Sequence, residues 1–175
     1  MTADLVIHNG KIVSPDTVIE ASLAIKDGRV LAIGAADAMP QATETFDAAG
    51  LHILPGAIDV HVHFRDPGYP HKEDWQTGTA AAAFGGVTTV FDMPNTIPPT
   101  GTAEVLAAKH AIAASKAHVD FGLYGVLGDD TIANVPALVE GGVIGFKLYM
   151  GNTFGKIASP STGATLEAFE VVSET

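Results

Sequence analysis

The chain has 175 residues, 47% of them hydrophobic and 17% charged, and 9 Lys and Arg against 20 Asp and Glu leave a formal charge of −11. A surface that acidic repels a phosphate backbone and argues against nucleic-acid binding, while the absence of cysteine excludes disulfide scaffolds and Cys-ligated zinc fingers. The N-terminal MTADLVIHNG has neither the basic nor the apolar region of a signal peptide. Apolar stretches elsewhere are interrupted well short of the roughly 20 residues a membrane span requires. The expectation is a cytoplasmic α/β protein with no membrane contact.

Residues 1–55 read as a β-unit. LVIHNG, KIV and SLAIKDGRVLAIG are short runs rich in Val, Ile and Leu. Asp27-Gly28 lies between two alternating segments, a strong hairpin signal. FDAAG and LHILPG suggest two further short strands closed by Pro55-Gly56. A unit of this size buries little by itself.

From residue 56 to 175 the pattern becomes strand followed by helix. AIDVHVHF is a strand and EDWQTGTAAAAF a helix ended by Gly85-Gly86. VTTVFDM is the next strand, followed by a helix from Thr102 to about His118, with a Thr cap and Glu104 in its first turn. DFGLYGVL is a third strand, after which Asn134 offers an N-cap with Pro136 just inside the helix. VIGFKLYM is a fourth strand, and TLEAFEVV begins a helix. Serial β/α units imply a parallel sheet. A (β/α)8 barrel needs about 250 residues, and residues 56–175 provide about 120, so the chain reads as the first half of such a barrel. A small doubly wound domain is the alternative, weakened by the lack of a glycine-rich phosphate fingerprint after any strand.

Strand alternation puts Asp59, His61, His63 and Arg65 on one face of the first barrel strand and its extension. Two imidazoles at i and i+2 can share one metal ion, a suitable device for the C-terminal end of a barrel strand. Two partly buried histidines satisfied by backbone would leave the same pattern. Asp92-Met93-Pro94-Asn95 ends the second strand in polar groups. Lys147, between Phe146 and Leu148 on the fourth strand, must be paired, snorkelled or stripped of its charge.

The run Asp59-Val-His-Val-His-Phe-Arg-Asp-Pro-Gly68, with His71-Lys72-Glu73-Asp74 after it, resembles the cyclic amidohydrolases and dihydroorotases in particular. Met93-Pro94-Asn95-Thr96 resembles their substrate-binding turn, and the segment from Lys147 to Phe154 resembles the animal-type sequence around a carboxylated lysine. The resemblance implies a TIM-like metal-dependent hydrolase barrel flanked by a small β-sandwich. It implies two zinc ions, with His61 and His63 as ligands of the more buried one and Lys147, as a carbamate derived from carbon dioxide, bridging both. Arg65 and Asn95 would hold the substrate carboxylate, and Thr153 and Phe154 would belong to a mobile catalytic loop.

The function so implied is hydrolysis of a small cyclic amide, dihydroorotate to N-carbamoyl aspartate, in pyrimidine biosynthesis. An allantoinase or hydantoinase specificity is the alternative, as is a non-catalytic dihydroorotase-like scaffold subunit. Arg65 favours dihydroorotate, because a guanidinium fork suits a carboxylate. Expected partners are a second copy of the chain or a transcarbamoylase. The family's remaining metal ligands and its proton-shuttling aspartate belong to later strands and are not among residues 1–175, so these residues alone are expected to be inactive. His8, His52, His71, His110 and His118 read as structural or solvent-facing.

Overall fold

The computed structural model describes residues 2–151 and 157–175. These fall into two compact units that divide between Pro55 and Gly56.

The first unit is a mixed five-stranded sheet built on β1 (Ala3–Val13), β2 (Val18–Lys26), β3 (Arg29–Gly34), β4 (Ala42–Asp47) and β5 (His52–Ile53). The order is β3-β2-β1-β4, with β5 also pairing β1; β2 lies antiparallel to both β1 and β3, whereas β4 and β5 run parallel to β1. The β2–β3 hairpin turns at Asp27-Gly28, both with positive φ (49° and 69°), as a two-residue primed turn requires. Asp4 fastens that turn: its Oδ2 accepts the Asp27 N–H at 2.7 Å, and its Oδ1 pairs with Lys26 Nζ at 2.8 Å.

Two expectations are corrected here. LVIHNG and KIV are one strand, β1, whose register against β2 slips between Ile7 and Gly10 around Asn9, a residue with φ 58°. Asn9-Gly10 forms a bulge, a feature with the same backbone demand as a turn. FDAAG is a strand only to Asp47, and its last three residues lead into the turn before β5.

The second unit alternates β6 (Ala57–Val62), α1 (Trp75–Phe84), β7 (Val87–Asp92), α2 (Ala103–Lys116), β8 (Asp120–Leu127), α3 (Val135–Glu140), β9 (Gly145–Leu148) and α4 (Thr162–Ser173). The strands form a four-stranded sheet in the order β6-β7-β8-β9, every neighbouring pair parallel. This is the serial β/α pattern, present as an open half-barrel sheet. The helix starts are chemically specified. Asp74 accepts the Thr77 N–H at 2.8 Å, Thr102 the Val105 N–H at 3.3 Å, and Ser161 the Ala164 N–H at 3.1 Å. Asn134 departs from expectation. It ends a short 3₁₀ turn in helical backbone conformation and makes no side-chain cap; its Nδ2 donates instead to the Gly101 carbonyl at 2.9 Å.

The core of this unit gathers Phe64, Trp75, Val90, Leu106, Ala113, Leu123 and Leu138 between the sheet and its helices. Trp75 is fully buried, edge-on to Phe64 (ring centroids 4.9 Å apart) and tilted against Phe121 at 5.3 Å. Gly78 lets Phe64 approach α1 closely, because a Cβ at that position would lie 2.4 Å from the Phe64 ring. Gly78→Ala should therefore destabilise the protein by about 1–3 kcal/mol through overpacking, a shift that urea unfolding would register and that an unchanged midpoint would contradict. Among the described residues no helix is long and apolar enough to cross a membrane.

Candidate metal and substrate site

The candidate residues collect where β6 and β7 end. β6 stops at Val62, so His63 and Arg65 lie just beyond the strand, and Arg65 takes a left-handed backbone conformation (φ 58°). The strict alternation expected from Asp59 to Arg65 therefore breaks before Arg65. The two strand ends are tied crosswise: the Met93 N–H donates to the Val62 carbonyl at 3.0 Å, and the Phe64 N–H donates to Asp92 Oδ1 at 2.8 Å. The loops that follow are tied as well, through the Ile97 N–H and the Pro67 carbonyl at 3.1 Å.

His61 and His63 stand side by side with ring centroids 5.2 Å apart. His63 Nδ1 lies 2.8 Å from Asn95 Oδ1. An amide oxygen only accepts, so Nδ1 donates to it, and in the neutral ring Nε2 then keeps its lone pair. A neutral imidazole whose other nitrogen is held in this way is the usual state of a metal-ligating histidine. Burial pushes the His63 pKa below that of a free imidazole, against the opposing Asn95 hydrogen bond and with help from the nearby Arg65 charge. In the folded protein the ring should stay neutral to a lower pH than the usual value of about 6.5. An NMR titration of the His63 ring should find its midpoint below that value; a midpoint at or above it would contradict the burial argument.

Asn95 is buried, and with its oxygen engaged by His63 the group it can offer an anion is Nδ2. Arg65 is half-buried, and its charge acts on both His63 and Tyr149. Tyr149 was not foreseen from the sequence. Among the described residues its hydroxyl is buried with no hydrogen-bond partner, and burial raises its pKa against the opposing Arg65 charge. A motif that opens Lys-Leu-Tyr gives no sign of which of its polar groups turns inward.

Lys147 is half-buried on β9, across the sheet from β6, with Nζ 5.5 Å from the Tyr149 ring centroid. Thr153 and Phe154 lie outside the described residues. Among the described residues no third His, Asp or Glu joins His61 and His63 in a metal-holding group. Of the remaining histidines, His8 Nδ1 is 3.4 Å from Ser22 Oγ, His71 lies against the Tyr69 ring and His110 against Phe121, while His52 and His118 are exposed. A cavity of about 440 Å³ lies elsewhere, at the end of β8 and the start of α2 among Thr102, Val105, Val126, Asp130 and Asn134. It includes none of the candidate site residues.

A second unforeseen group supports the site from below. Lys109 on α2 is fully buried, with Nζ 2.6 Å from Asp92 Oδ2 and donating to the Met93 carbonyl at 2.9 Å. The sequence did hold a signal for it: Lys109 lies three residues after Leu106 and four before Ala113, the other buried positions of the helix.

Comparison with known proteins gives a consistent answer. Residues 50–151 match the family described as Dihydro-orotase-like. An allantoinase from Desulfitobacterium hafniense is 43% identical over 148 residues, which cover 83% of this chain and 32% of that protein. A dihydroorotase from Methanothermobacter thermautotrophicus is 40% identical over 152 residues, covering 86% of this chain and 33% of that protein. The solved L-hydantoinase (dihydropyrimidinase) of Arthrobacter aurescens superposes with a TM-score of 0.93 at 32% identity, over 98% of this chain and 39% of that one. The chain thus spans about a third of the length of the curated relatives it matches.

Proposed function

Because the chain belongs to the dihydro-orotase-like family of cyclic amidohydrolases, we propose that it carries the substrate-carboxylate end of a dihydroorotase site, for reversible hydrolysis of dihydroorotate to N-carbamoyl aspartate. The observation that carries this reading is the placing of a guanidinium and a buried amide beside paired histidines: Asn95 bonds His63, and the Arg65 charge is felt by His63. A cation at that position suits a substrate that bears a carboxylate, and dihydroorotate bears one.

The donor set fits a divalent metal. His61 and His63 would hold it, His63 through the Nε2 that Asn95 leaves free, and Lys147 as a carbamate would add one further ligand to a two-zinc centre. Bound metals supply water activated at neutral pH and a polarised ring carbonyl. The chain's own part is orientation. The Arg65 fork and Asn95 Nδ2 take the carboxylate, which fixes the ring above the two imidazoles and limits its freedom before reaction.

A second reading, hydrolysis of an allantoin or hydantoin ring, is favoured by the allantoinase and hydantoinase relatives. A substrate panel on catalytically active protein separates the two. The dihydroorotase reading expects kcat/KM for dihydroorotate to exceed that for unsubstituted hydantoin by a factor on the order of 10² or more, since hydantoin offers no carboxylate to the Arg65 guanidinium. Preferred turnover of allantoin or hydantoin would replace it. Residues 1–175 alone are expected to show no turnover, because the family's second-metal histidines and its aspartate are not among them.

A further inference from the structure

We propose that Lys109 is a positioning residue for the His63 imidazole, reaching from the helix layer through Asp92 and the Met93 carbonyl; the proposal rests on the metal-site reading above. Lys109 touches two strand ends at once. Its Nζ is 2.6 Å from Asp92 Oδ2, and the other oxygen of Asp92 holds the Phe64 N–H at 2.8 Å, next in sequence to His63. The same Nζ donates to the Met93 carbonyl at 2.9 Å, while the Met93 N–H is bonded to Val62, on the other side of His63. Two residues after Met93, Asn95 meets His63 Nδ1 at 2.8 Å. One ammonium group thus fixes the peptide planes from which both His63 and its hydrogen-bond partner depart.

Stability alone is a poor account of this arrangement. Both side chains of the ion pair are wholly buried. A pair of that kind recovers its desolvation cost only with good geometry, and apolar side chains of similar volume often do as well or better. Burial pushes the Lys109 pKa down while Asp92 holds it up. What an apolar side chain could not supply is the bond to the Met93 carbonyl and a countercharge 2.6 Å from the second Asp92 oxygen.

The test compares wild-type chain with Lys109→Met and with the double variant Asp92→Asn/Lys109→Met. The double variant removes both buried charges yet keeps an oxygen for the Phe64 N–H, so it guards against a Lys109→Met protein that fails to fold around an unpaired Asp92. Two quantities are read: the ¹⁵N and ¹H shifts of the His63 ring, which report the Nδ1–H tautomer, and cobalt(II) affinity by absorption titration. Expected in the double variant are cooperative unfolding, wild-type amide shifts outside residues 60–66 and 91–96, loss of the single His63 tautomer, and a fall in cobalt affinity of about tenfold or more. Wild-type His63 ring shifts in the folded double variant would overturn the proposal. Should the wild-type chain take up no cobalt, the metal reading falls by itself. The His63 ring shifts then decide the positioning role alone, altered shifts supporting it and unchanged shifts overturning it.

Discussion

Arg65→Met, measured on catalytically active protein, should cost about 3 kcal/mol or more in kcat/KM for dihydroorotate while leaving zinc content unchanged. The substrate carboxylate would lose its charged partner in a partly buried place, where truncating one member of such a pair costs about 2–5 kcal/mol. Met is chosen because it keeps an unbranched stem in the left-handed backbone that Arg65 occupies. The loss should be specific to dihydroorotate and small for hydantoin, which has no carboxylate to match. Equal losses on both substrates would indicate a general disturbance of the strand end, and no loss on either would remove Arg65 from substrate binding.

Trp75→Ala should lower the stability of the folded chain by about 3–5 kcal/mol, the range for deleting a fully buried large aromatic. The indole fills the junction between Phe64 and Phe121, and its Nε1 donates to the Asp66 carbonyl at 3.0 Å. Trp75→Phe would keep most of the apolar contact and lose that bond, at a net cost of about 1 kcal/mol for the hydrogen bond itself. Urea unfolding of the two variants separates the contributions. A Trp75→Ala loss below about 1 kcal/mol would mean that the surroundings collapse into the space, which the mutual packing of Phe64, Trp75 and Phe121 argues against.

Local chemistry that acts on neighbours in sequence was readable in advance. The Asp27-Gly28 hairpin, the Thr102 cap and the serial parallel strands each depend on a few adjacent residues or on a short period. The pairing of His61 with His63 was readable for the same reason. What was hidden depends on partners distant in sequence. Asn134 has the composition of a cap, but the Gly101 carbonyl, 33 residues away, takes its amide. Asn9-Gly10 suits a turn and a bulge equally, and only the pairing of β1 with β2 decides between them. Lys109 shares the buried face of α2, yet the acid that makes this tolerable ends a strand 17 positions earlier. The motif resemblance pointed to a type of site, while the hydrogen bond between His63 and Asn95 needed the fold.

The left-handed backbone at Arg65 restricts how the ligand preference of this surface could drift over generations. On the proposed reading a side chain at position 65 chooses between substrates, and φ there is 58°. Glycine enters such a conformation freely and Asn and Asp readily, whereas Val, Ile and Thr meet the steric conflict of a branched Cβ. The residues on either side hold that conformation in place: the Phe64 N–H is bound by Asp92, Arg65's own carbonyl accepts the Tyr69 N–H at 2.7 Å, and Asp66 is anchored through Trp75 and through Lys116 at 2.6 Å. The path of the chain is therefore set independently of which side chain stands at 65. Exchanges that trade the guanidinium for a short polar amide or for no side chain are open without rebuilding the loop, and those that would place a branched apolar wall there are closed. A change of substrate at this site is steered toward small polar or ring-only ligands before selection acts on activity at all.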